Sequence, residues 1–136
     1  MREIEFRGKD VNTGKWVYSS AIANGTVKGK QNNKYMLVDN ESDIWCEVDP
    51  ETIGQYTGLK DVNDVKIFEG DIVKVSSRRD WTNGVVFYNE ENTCFSFRII
   101  NEMLSECEQD WRELRDGWLG VEVIGNVTDN PELLGG

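Results

Sequence analysis

The chain has 136 residues, of which 38% are apolar and 10% are aromatic. A chain of this length buries roughly two-thirds of the surface that its unfolded form exposes, so the sequence predicts one folded domain and excludes a disordered tail. Its 25 acidic and 15 basic residues give a net charge of -10, which argues against a protein that binds phosphate backbones.

The first 50 residues predict four short strands, because apolar residues alternate with polar ones in runs that turn residues separate. The four strands are predicted at Glu3–Gly8, Trp16–Ala23, Lys34–Asp39 and Asp43–Val48. Asn12–Lys15 predicts a hairpin turn between the first two strands, and Asn40-Glu41 predicts one between the last two. Between these hairpins, Asn24-Gly25 and the cluster at 29–33 are expected to interrupt the chain.

Asp49-Pro50 predicts a single helical turn, with Asp49 as its cap and proline at its first position. We expect the main internal boundary at this point. It would divide a single domain of residues 1–136 into N-terminal β-hairpins over 1–49 and a barrel over 50–136.

The second half of the chain predicts five further short strands with polar turns between them. They are expected at Gly54–Tyr56, Val65–Phe68, Ile72–Val75, Gly84–Tyr88 and Thr93–Ile100. Lys60–Asp64 predicts a polar turn, and Ser76–Asn83 predicts a polar loop. We expect Tyr56 and Phe68 in the core, and alternation places Phe95, Phe97 and Ile99 on a common face.

Gly70-Asp71 is the most informative turn, because glycine permits a tight entry and aspartate can accept hydrogen bonds from nearby backbone N–H groups. A Gly-Asp pair ahead of a Val/Ile-rich strand is found in many SH3-like barrels. The pair therefore favours an SH3-like barrel in the C-terminal part of the chain.

The segment after residue 100 has a different period. Leu104, Cys107, Trp111 and Leu114 recur at spacings of three, four and three, which predicts one short helix around 102–115. A last strand is expected at Trp118–Val127 and a terminal turn at 130–132. The predicted fold class is thus mainly β, with short antiparallel strands, an SH3-like barrel and one short helix.

The sequence contains no histidine, so Ser-His-Asp and Cys-His nucleophile schemes are excluded within the chain. The three cysteines, Cys46, Cys94 and Cys107, have no CxxC spacing and are expected to be reduced thiols. No glycine-rich phosphate-binding motif occurs. We therefore predict no catalytic residue, no cofactor-binding residue, no metal ligand and no cofactor.

Carboxylates are the remaining source of reactivity, and they are densest at Asp39, Glu41, Asp43, Glu47 and Asp49. A Mg²⁺ site of a metal-dependent enzyme is the weaker interpretation of this group, and the polar face of a half-buried hairpin is the stronger one. The acidic residues after Asn101 have two interpretations as well. They are a solvated face, or they form a surface that docks on a basic partner.

Arg78, Arg79 and Trp81 form the candidate interaction patch of the sequence, because two cations precede an aromatic ring in a polar loop. A loop with one anchoring tryptophan is the structural alternative. Most other large aromatic side chains, among them Trp16, Tyr18 and Trp45, are expected in the core.

Four blocks of the sequence resemble the recurring blocks of YopX-like proteins of bacteriophages and prophages. They are REIEFR at Arg2–Arg7, DPETIGQYTGLKDVNDVKIFEGDIVKV at Asp49–Val75, GVV at Gly84–Val86, and EVIGNVTDNPELL at Glu122–Leu134. The resemblance implies a β-rich fold with an SH3-like barrel and a phage or prophage origin. It implies no catalytic residue.

These observations predict a non-enzymatic accessory protein that binds an unknown host or phage protein as an adaptor. An acidic mimic of DNA is one variant of this hypothesis. The alternative is a nucleic-acid-associated protein that uses the barrel, which the acidity disfavours. No signal-peptide pattern follows Met1, and no run is long enough to cross a membrane, so we expect the cytoplasm of a bacterial host and no membrane partner. Exposed sheet edges are compatible with a homo-oligomer.

Overall fold

The structure of the protein is a computed structural model, and it describes residues 3–27, 30–77, 81–91, 93–100, 108–110 and 118–134. In these ranges the protein is mainly β with antiparallel pairing, which confirms the predicted class. The chain divides into two compact units, Met1–Tyr56 and Thr57–Gly136. Each unit is described by itself.

The first unit contains two small antiparallel sheets. Its strands are β1 (Phe6–Lys9), β2 (Trp16–Ser19), β3 (Ile22–Val27), β4 (Lys30–Val38), β5 (Trp45–Val48) and the beginning of β6 (Gly54–Lys60). In one sheet β1 lies between β2 and the first residues of β6, and in the other sheet the order is β3-β4-β5.

Both predicted hairpins of the first unit are confirmed. In the β1–β2 turn the carboxylate of Asp10 accepts the N–H of Asn12 at 2.7 Å, and Gly14 donates its N–H to the carbonyl of Asp10 at 2.8 Å. Gly14 has a φ of +71°, a conformation that glycine adopts without strain. In the β4–β5 turn the carboxylate of Asp39 accepts the N–H of Glu41 at 3.0 Å.

The strand predicted at Trp16–Ala23 is wrong in its length, because the ladder stops after Ser19. The hydroxyl of Ser19 donates to the carbonyl of Ala21 at 2.7 Å and accepts its N–H at 3.0 Å, and such local bonding competes with strand pairing. The interruptions expected at Asn24-Gly25 and at 30–33 are also wrong, since these residues lie within β3 and β4. Local turn propensity was outweighed by the pairing of β3 with β4.

The predicted cap at Asp49 is confirmed. Its Oδ1 accepts the N–H of Glu51 at 3.0 Å and caps the 3-10 turn Pro50–Thr52. The hydroxyl of Thr52 accepts the N–H of Lys9 at 2.8 Å, which ties the turn to β1. The turn lies inside the first unit.

The core of the first unit contains Val17, Leu37 and Val48, with Phe6 packed against them. A Cβ added to Gly8 would lie 3.0 Å from the Cβ of Val48. The backbone of β1 therefore packs directly on the core, and glycine is the residue that allows this approach.

The opposite face of β1 is buried although it is charged. Glu5 is 9% exposed and Arg7 is 7% exposed, whereas apolar Ile4 is 53% exposed. The guanidinium of Arg7 lies 4.6 Å from the ring centroid of Trp16. Alternation therefore predicted the direction of the side chains correctly, but not which of them solvent reaches.

The second unit contains an open five-stranded antiparallel sheet in the order β11-β10-β9-β8-β12. Its strands are β8 (Asp71–Ser77), β9 (Trp81–Asn89), β10 (Cys94–Ile100), β11 (Glu108–Asp110) and β12 (Trp118–Asn126), and β7 (Lys66–Phe68) precedes them. The strands that the structure describes form no closed barrel, so the predicted SH3-like barrel is not confirmed.

Strand β11 overturns the central part of the helix predicted around 102–115. Glu108–Asp110 pairs antiparallel with residues 96–98 at the outer edge of β10. The unpaired backbone groups of that edge supply hydrogen-bond partners that outweigh the helical spacing of the apolar residues. The rest of the predicted helix, at 102–107 and 111–115, lies outside the described residues.

The polar loop predicted at Ser76–Asn83 is wrong at both ends. Strand β8 continues to Ser77, β9 starts at Trp81, and Ser76 is the cross-strand partner of Trp81. The polar residues belong to a hairpin with one polar face, a pattern that sequence alone does not separate from a loop. Residues 78–80 lie outside the described residues.

The core of the second unit comprises Ile67, Val73, Val75, Val86 and Phe97. Phe97 is fully buried, while Phe95 is only half-buried and makes an edge-to-face contact with Tyr88 at 5.4 Å between ring centroids. The predictions that Tyr56 and Phe68 are core residues are confirmed, because both are buried.

The turn at Gly70-Asp71 has the predicted chemistry. Gly70 has a φ of +86°. The Oδ2 of buried Asp71 accepts the N–H of Phe68 at 2.8 Å, so the side chain closes the turn between β7 and β8. The aspartate thereby satisfies a buried donor that the turn leaves without a ladder partner.

A loop at residues 61–65 covers the outer edge of β12, and we call it the Asp61 loop. The Oδ1 of Asp61 accepts the N–H groups of Asn63 and Val65 at 2.8 and 2.9 Å, and its Oδ2 accepts the N–H of Val123 at 2.9 Å. The N–H of Val62 donates to the carbonyl of Val121 at 3.0 Å. The loop thus occupies backbone groups that an added strand would use.

Burial of the Asp61 side chain would by itself raise the pKa of its carboxyl. The N–H groups of Val123, Val65 and Asn63 stabilise the ionised form, and together they hold the pKa of Asp61 below its ordinary value. The carboxylate is therefore ionised in the folded protein at neutral pH, and its charge is balanced by backbone dipoles.

We expect Phe97→Ala to destabilise the second unit by about 3–5 kcal/mol, because it opens a cavity in a closed core. Phe95→Ala is the matched control, since it removes the same ring from the same strand at a half-buried position, and it should cost clearly less. Urea unfolding followed by tryptophan fluorescence measures both free energies. Equal losses would contradict the described core.

Asp61→Asn tests the Asp61 loop. Asparagine has one acceptor oxygen, so one backbone N–H loses its partner, and the free energy of unfolding at pH 7 should fall by about 1–3 kcal/mol. Because the folded pKa lies below the unfolded one, this stabilisation is complete above the unfolded pKa of about 3.9. It is lost as the pH falls through the folded pKa, so the difference between the two proteins should shrink in acid.

Asp64→Asn is the control for this measurement. Asp64 lies in the same loop, its side chain is 85% exposed, and its φ of +66° is tolerated by asparagine. The control should leave the free energy of unfolding nearly unchanged at every pH. A loss equal to that of Asp61→Asn would show that the loop responds to charge and not to the three hydrogen bonds.

Candidate functional site

Trp81 is the part of the predicted interaction patch that the structure describes, whereas Arg78 and Arg79 lie outside the described residues. Trp81 is 56% exposed at the start of β9. The ammonium of Lys74 lies 4.9 Å from its ring centroid. A cation from the neighbouring strand therefore stands over the ring.

A groove crosses the polar face of the sheet next to Trp81, and we call it the Gly120 groove. It is lined by Val62, Lys74, Ser76, Gly120, Val121 and Glu122 and has a volume of about 220 Å³. All of its lining residues belong to the second unit.

The register of the strands explains the groove. Ser76 on β8 is paired with Trp81 on one side and with Gly120 of β12 on the other, so the three residues form one row on the same face. Beyond Gly120 lies the side chain of Val62, whose Cγ1 is 3.0 Å from the place where a Cβ of residue 120 would be. Along this row the residues are large at Trp81, small at Ser76 and Gly120, and large at Val62. The two small residues form the floor of the groove.

The Asp61 loop positions the outer wall. Val62 follows Asp61 directly and is 64% exposed, an unusual position for valine unless a neighbouring bond holds it. Its N–H donates to Val121, and Asp61 accepts the N–H of Val123. The wall is therefore fixed to β12 by two hydrogen bonds.

The next row along the strands is charged. Lys74 of β8 is paired with Glu122 of β12. The ammonium of Lys74 lies over the Trp81 ring, and Glu122 has no ion pair with any of the described residues. An exposed carboxylate thus stands at one end of the Gly120 groove.

The size of the groove limits what it can hold. Pockets for drug-sized ligands and cofactors have volumes of about 300–1,000 Å³, so a groove of this volume is too small for most of them. It has room for one bulky side chain. Val62 and Val121 give it apolar surface, Ser76 gives it a hydroxyl, and Lys74 and Glu122 give it an ammonium and a carboxylate.

The expectation that Tyr18 and Trp45 are core residues is wrong. Tyr18 is 40% exposed, and Trp45 is 54% exposed on β5, where it is paired with Val38. Both strands are short and lie at sheet positions where one face meets solvent. Trp16 is half-buried beneath Arg7.

The carboxylates singled out in the sequence serve turns. Asp39 and Asp49 accept backbone N–H groups at 3.0 Å in each case. Within the described ranges no three Asp, Glu or Cys side chains are grouped so that they could hold a metal ion. The structure therefore does not bring Asp39, Glu41, Asp43, Glu47 and Asp49 together as a site.

Cys46 and Cys94 are free thiols. Burial raises the pKa of Cys46, and the carboxylates of Asp10 and Asp39 raise it further. Cys46 is accordingly a protonated thiol at neutral pH and a weak nucleophile. Cys107 lies outside the described residues.

Sequence reasoning identified Trp81 but missed Val62, Ser76, Gly120 and Glu122. Val62 and Glu122 lie in the blocks that resemble the family, and no motif singles out Ser76 or Gly120. The groove depends on pairing between β8 and β12, which are separated by more than forty residues. None of the described helical turns is long and apolar enough to cross a membrane.

Comparison with known proteins gives a family and a fold. Residues 5–135 match the family described as YopX protein. The crystal structure of protein EF1440 from Enterococcus faecalis is similar, with 24% identity, a TM-score of 0.52, and coverage of 98% of this chain and 99% of that one. At this identity the likeness concerns the fold alone, and no curated protein matches. Because the family match covers nearly the whole sequence, the chain belongs to the YopX family.

Proposed function

We propose that the protein is a non-enzymatic binding module that takes one bulky apolar side chain of a partner protein into the Gly120 groove. The observation that carries this proposal is the row of Trp81, Ser76, Gly120 and Val62, in which Val62 borders the groove at one end and the exposed Trp81 adjoins Ser76 at the other. Protein interfaces concentrate their affinity in such places, where an anchor residue fills a pocket.

Exposed apolar surface at the groove supports the same function. Trp81 and Val62 each expose more than half of their surface. Contact with a partner would remove this apolar surface from water, and it would gain roughly 25 cal/mol for each Å² that is buried. Burial of Trp81 and Val62 against a partner therefore lowers the free energy, whereas a solvated loop of polar residues gives no such contribution.

We further propose, from the family resemblance, that the protein is encoded by a phage or prophage and acts as an accessory or adaptor protein in the cytoplasm of the bacterial host. The lack of histidine supports a role without acid–base catalysis. The partner would then be a host or phage protein.

A nucleic-acid-associated function is the second candidate. The observation in its favour is the stack of Lys74 on the exposed Trp81 ring, because a cation beside an aromatic platform suits single-stranded nucleic acid. The net charge of -10 opposes it, since the field of the protein repels phosphates.

The test of the binding function is an affinity pull-down from host cell extract with Ser76→Val and Trp81→Ala variants. Ser76→Val fills the floor of the groove with a residue that suits a strand, so it should remove the captured partner. Trp81→Ala removes the exposed ring that adjoins Ser76, and it should weaken binding about tenfold or more. Light scattering on the purified protein measures its own oligomeric state alongside.

Trp45→Ala is the matched control. Trp45 is about as exposed as Trp81 but belongs to the first unit and is not a lining residue of the groove. It should leave the captured partner unchanged. If Trp45→Ala releases the partner while Ser76→Val retains it, the Gly120 groove is not the binding site.

Binding to labelled single-stranded and duplex DNA at low and high salt tests the second candidate. We expect no binding that exceeds the level of an inert acidic protein, because each phosphate contact would have to overcome the net charge. Salt-sensitive binding to the single strand that Trp81→Ala removes would contradict this expectation and favour the nucleic-acid function.

A further inference from the structure

We infer that the segment held in the Gly120 groove is basic, with a lysine or arginine next to its bulky apolar anchor. This inference rests on the proposed function and names the chemistry of the partner. It follows from the position of Glu122, which lies at the end of the groove in the charged row beside the floor.

One cation of the sheet is placed to neutralise Glu122. Lys74 is its direct cross-strand partner, and opposite charges in that relation ordinarily form an ion pair. The ammonium of Lys74 instead lies 4.9 Å from the ring centroid of Trp81. The carboxylate is exposed and has no ion pair with any other residue in the described part of the chain.

The charges that a ligand would meet in the Gly120 groove come from two of its lining residues. The groove is lined by the uncharged residues Val62, Ser76, Gly120 and Val121 and by two charged residues, Lys74 and Glu122. The ring of Trp81 already attracts Lys74. The charge that a partner can pair with at this end is therefore negative.

The electrostatic field around the Gly120 groove is negative. Glu122 belongs to the segment 101–136, which carries 9 acidic and 2 basic residues, within a protein of net charge -10. Such a field attracts a cationic segment during diffusional encounter and repels an acidic one. The local carboxylate and the overall charge thus select the same kind of partner.

The experiment uses the labelled full-length protein on an array of short synthetic peptides. Each peptide contains one leucine, phenylalanine or tryptophan in a Gly/Ser background, and lysine, glutamate or serine flanks it. We expect the strongest signal from lysine-flanked peptides and a decline with added salt. Fluorescence polarisation then gives the affinity of the best peptide for the variants.

Glu122→Gln should weaken binding of the lysine-flanked peptide by up to about fivefold, which is the contribution of an exposed ion pair, and it should reduce the salt dependence. Glu90→Gln is the matched control. Glu90 is exposed in the β9–β10 turn and does not line the groove, so its change removes one negative charge, as Glu122→Gln does, at another place. It should leave the affinity nearly unchanged.

The outcomes separate this inference from the proposed function. If apolar peptides bind whatever their flanks, or if Glu122→Gln and Glu90→Gln act alike, while Ser76→Val abolishes binding, the basic preference is refuted and the groove remains the binding site. If peptides with a bulky apolar residue bind no better than the Gly/Ser background, or if Ser76→Val has no effect on binding, the proposed function is refuted as well.

Discussion

The organisation of the second unit depends on one carboxylate that lies against the edge of a sheet. Strand β12 is the terminal strand of its sheet, and an uncovered edge would expose a row of N–H and C=O groups. Asp61 satisfies the N–H of Val123, and the following residue satisfies the carbonyl of Val121. Without this carboxylate the loop would lose its bond to Val123 and would keep the one from Val62 to Val121.

The same device recurs at the other turns of the unit. Asp71 accepts a backbone N–H in the turn before β8, and Asn126 accepts the N–H groups of Thr128 and Asp129 after β12. In each case a short polar side chain satisfies backbone donors that the end of a strand leaves unpaired. Asn130 also fills the space beside Gly125, where a Cβ would lie 2.6 Å from its Oδ1.

These residues lie in the sequence blocks that resemble the YopX family, so the blocks are explained by turn chemistry. The Asp61 loop and Gly70-Asp71 are in the first long block, and Gly125 to Asn130 is in the last. What the blocks specify is where the chain turns and how the sheet edge is closed. A binding role is a property of side chains that this framework brings together, and only some of them, Val62, Lys74 and Glu122, lie in these blocks.

Features with a local cause were predicted well from the sequence. The hairpin at Gly14, the cap at Asp49 and the Gly70-Asp71 turn each depend on a few neighbouring residues, and all three are confirmed. Features with a non-local cause were not predicted. The strand at Glu108–Asp110 exists because the edge of β10 is available, and the burial of Arg7 depends on the Trp16 ring of another strand.

The candidate site is one of the features that have a non-local cause. Trp81 was recognisable because it lies in a polar segment of the sequence with two arginines beside it. Ser76 and Gly120 were not, because a small residue on the polar face of a strand carries no signal until its neighbours across the sheet are known. The register between β8 and β12 decides that they adjoin.

The groove and the protected edge are therefore one feature. Val62 stands over β12 at a glycine, and a Cβ at residue 120 would lie 3.0 Å from its Cγ1, so Val62 would have to shift. The same glycine leaves the floor open between Val62 and Trp81. A larger residue at 120 would push the loop away from the edge and fill the floor at once. At Gly120 the chain thus closes a sheet edge and forms a groove of the size of one side chain. The loop that covers the edge leaves one apolar side chain, Val62, exposed to water.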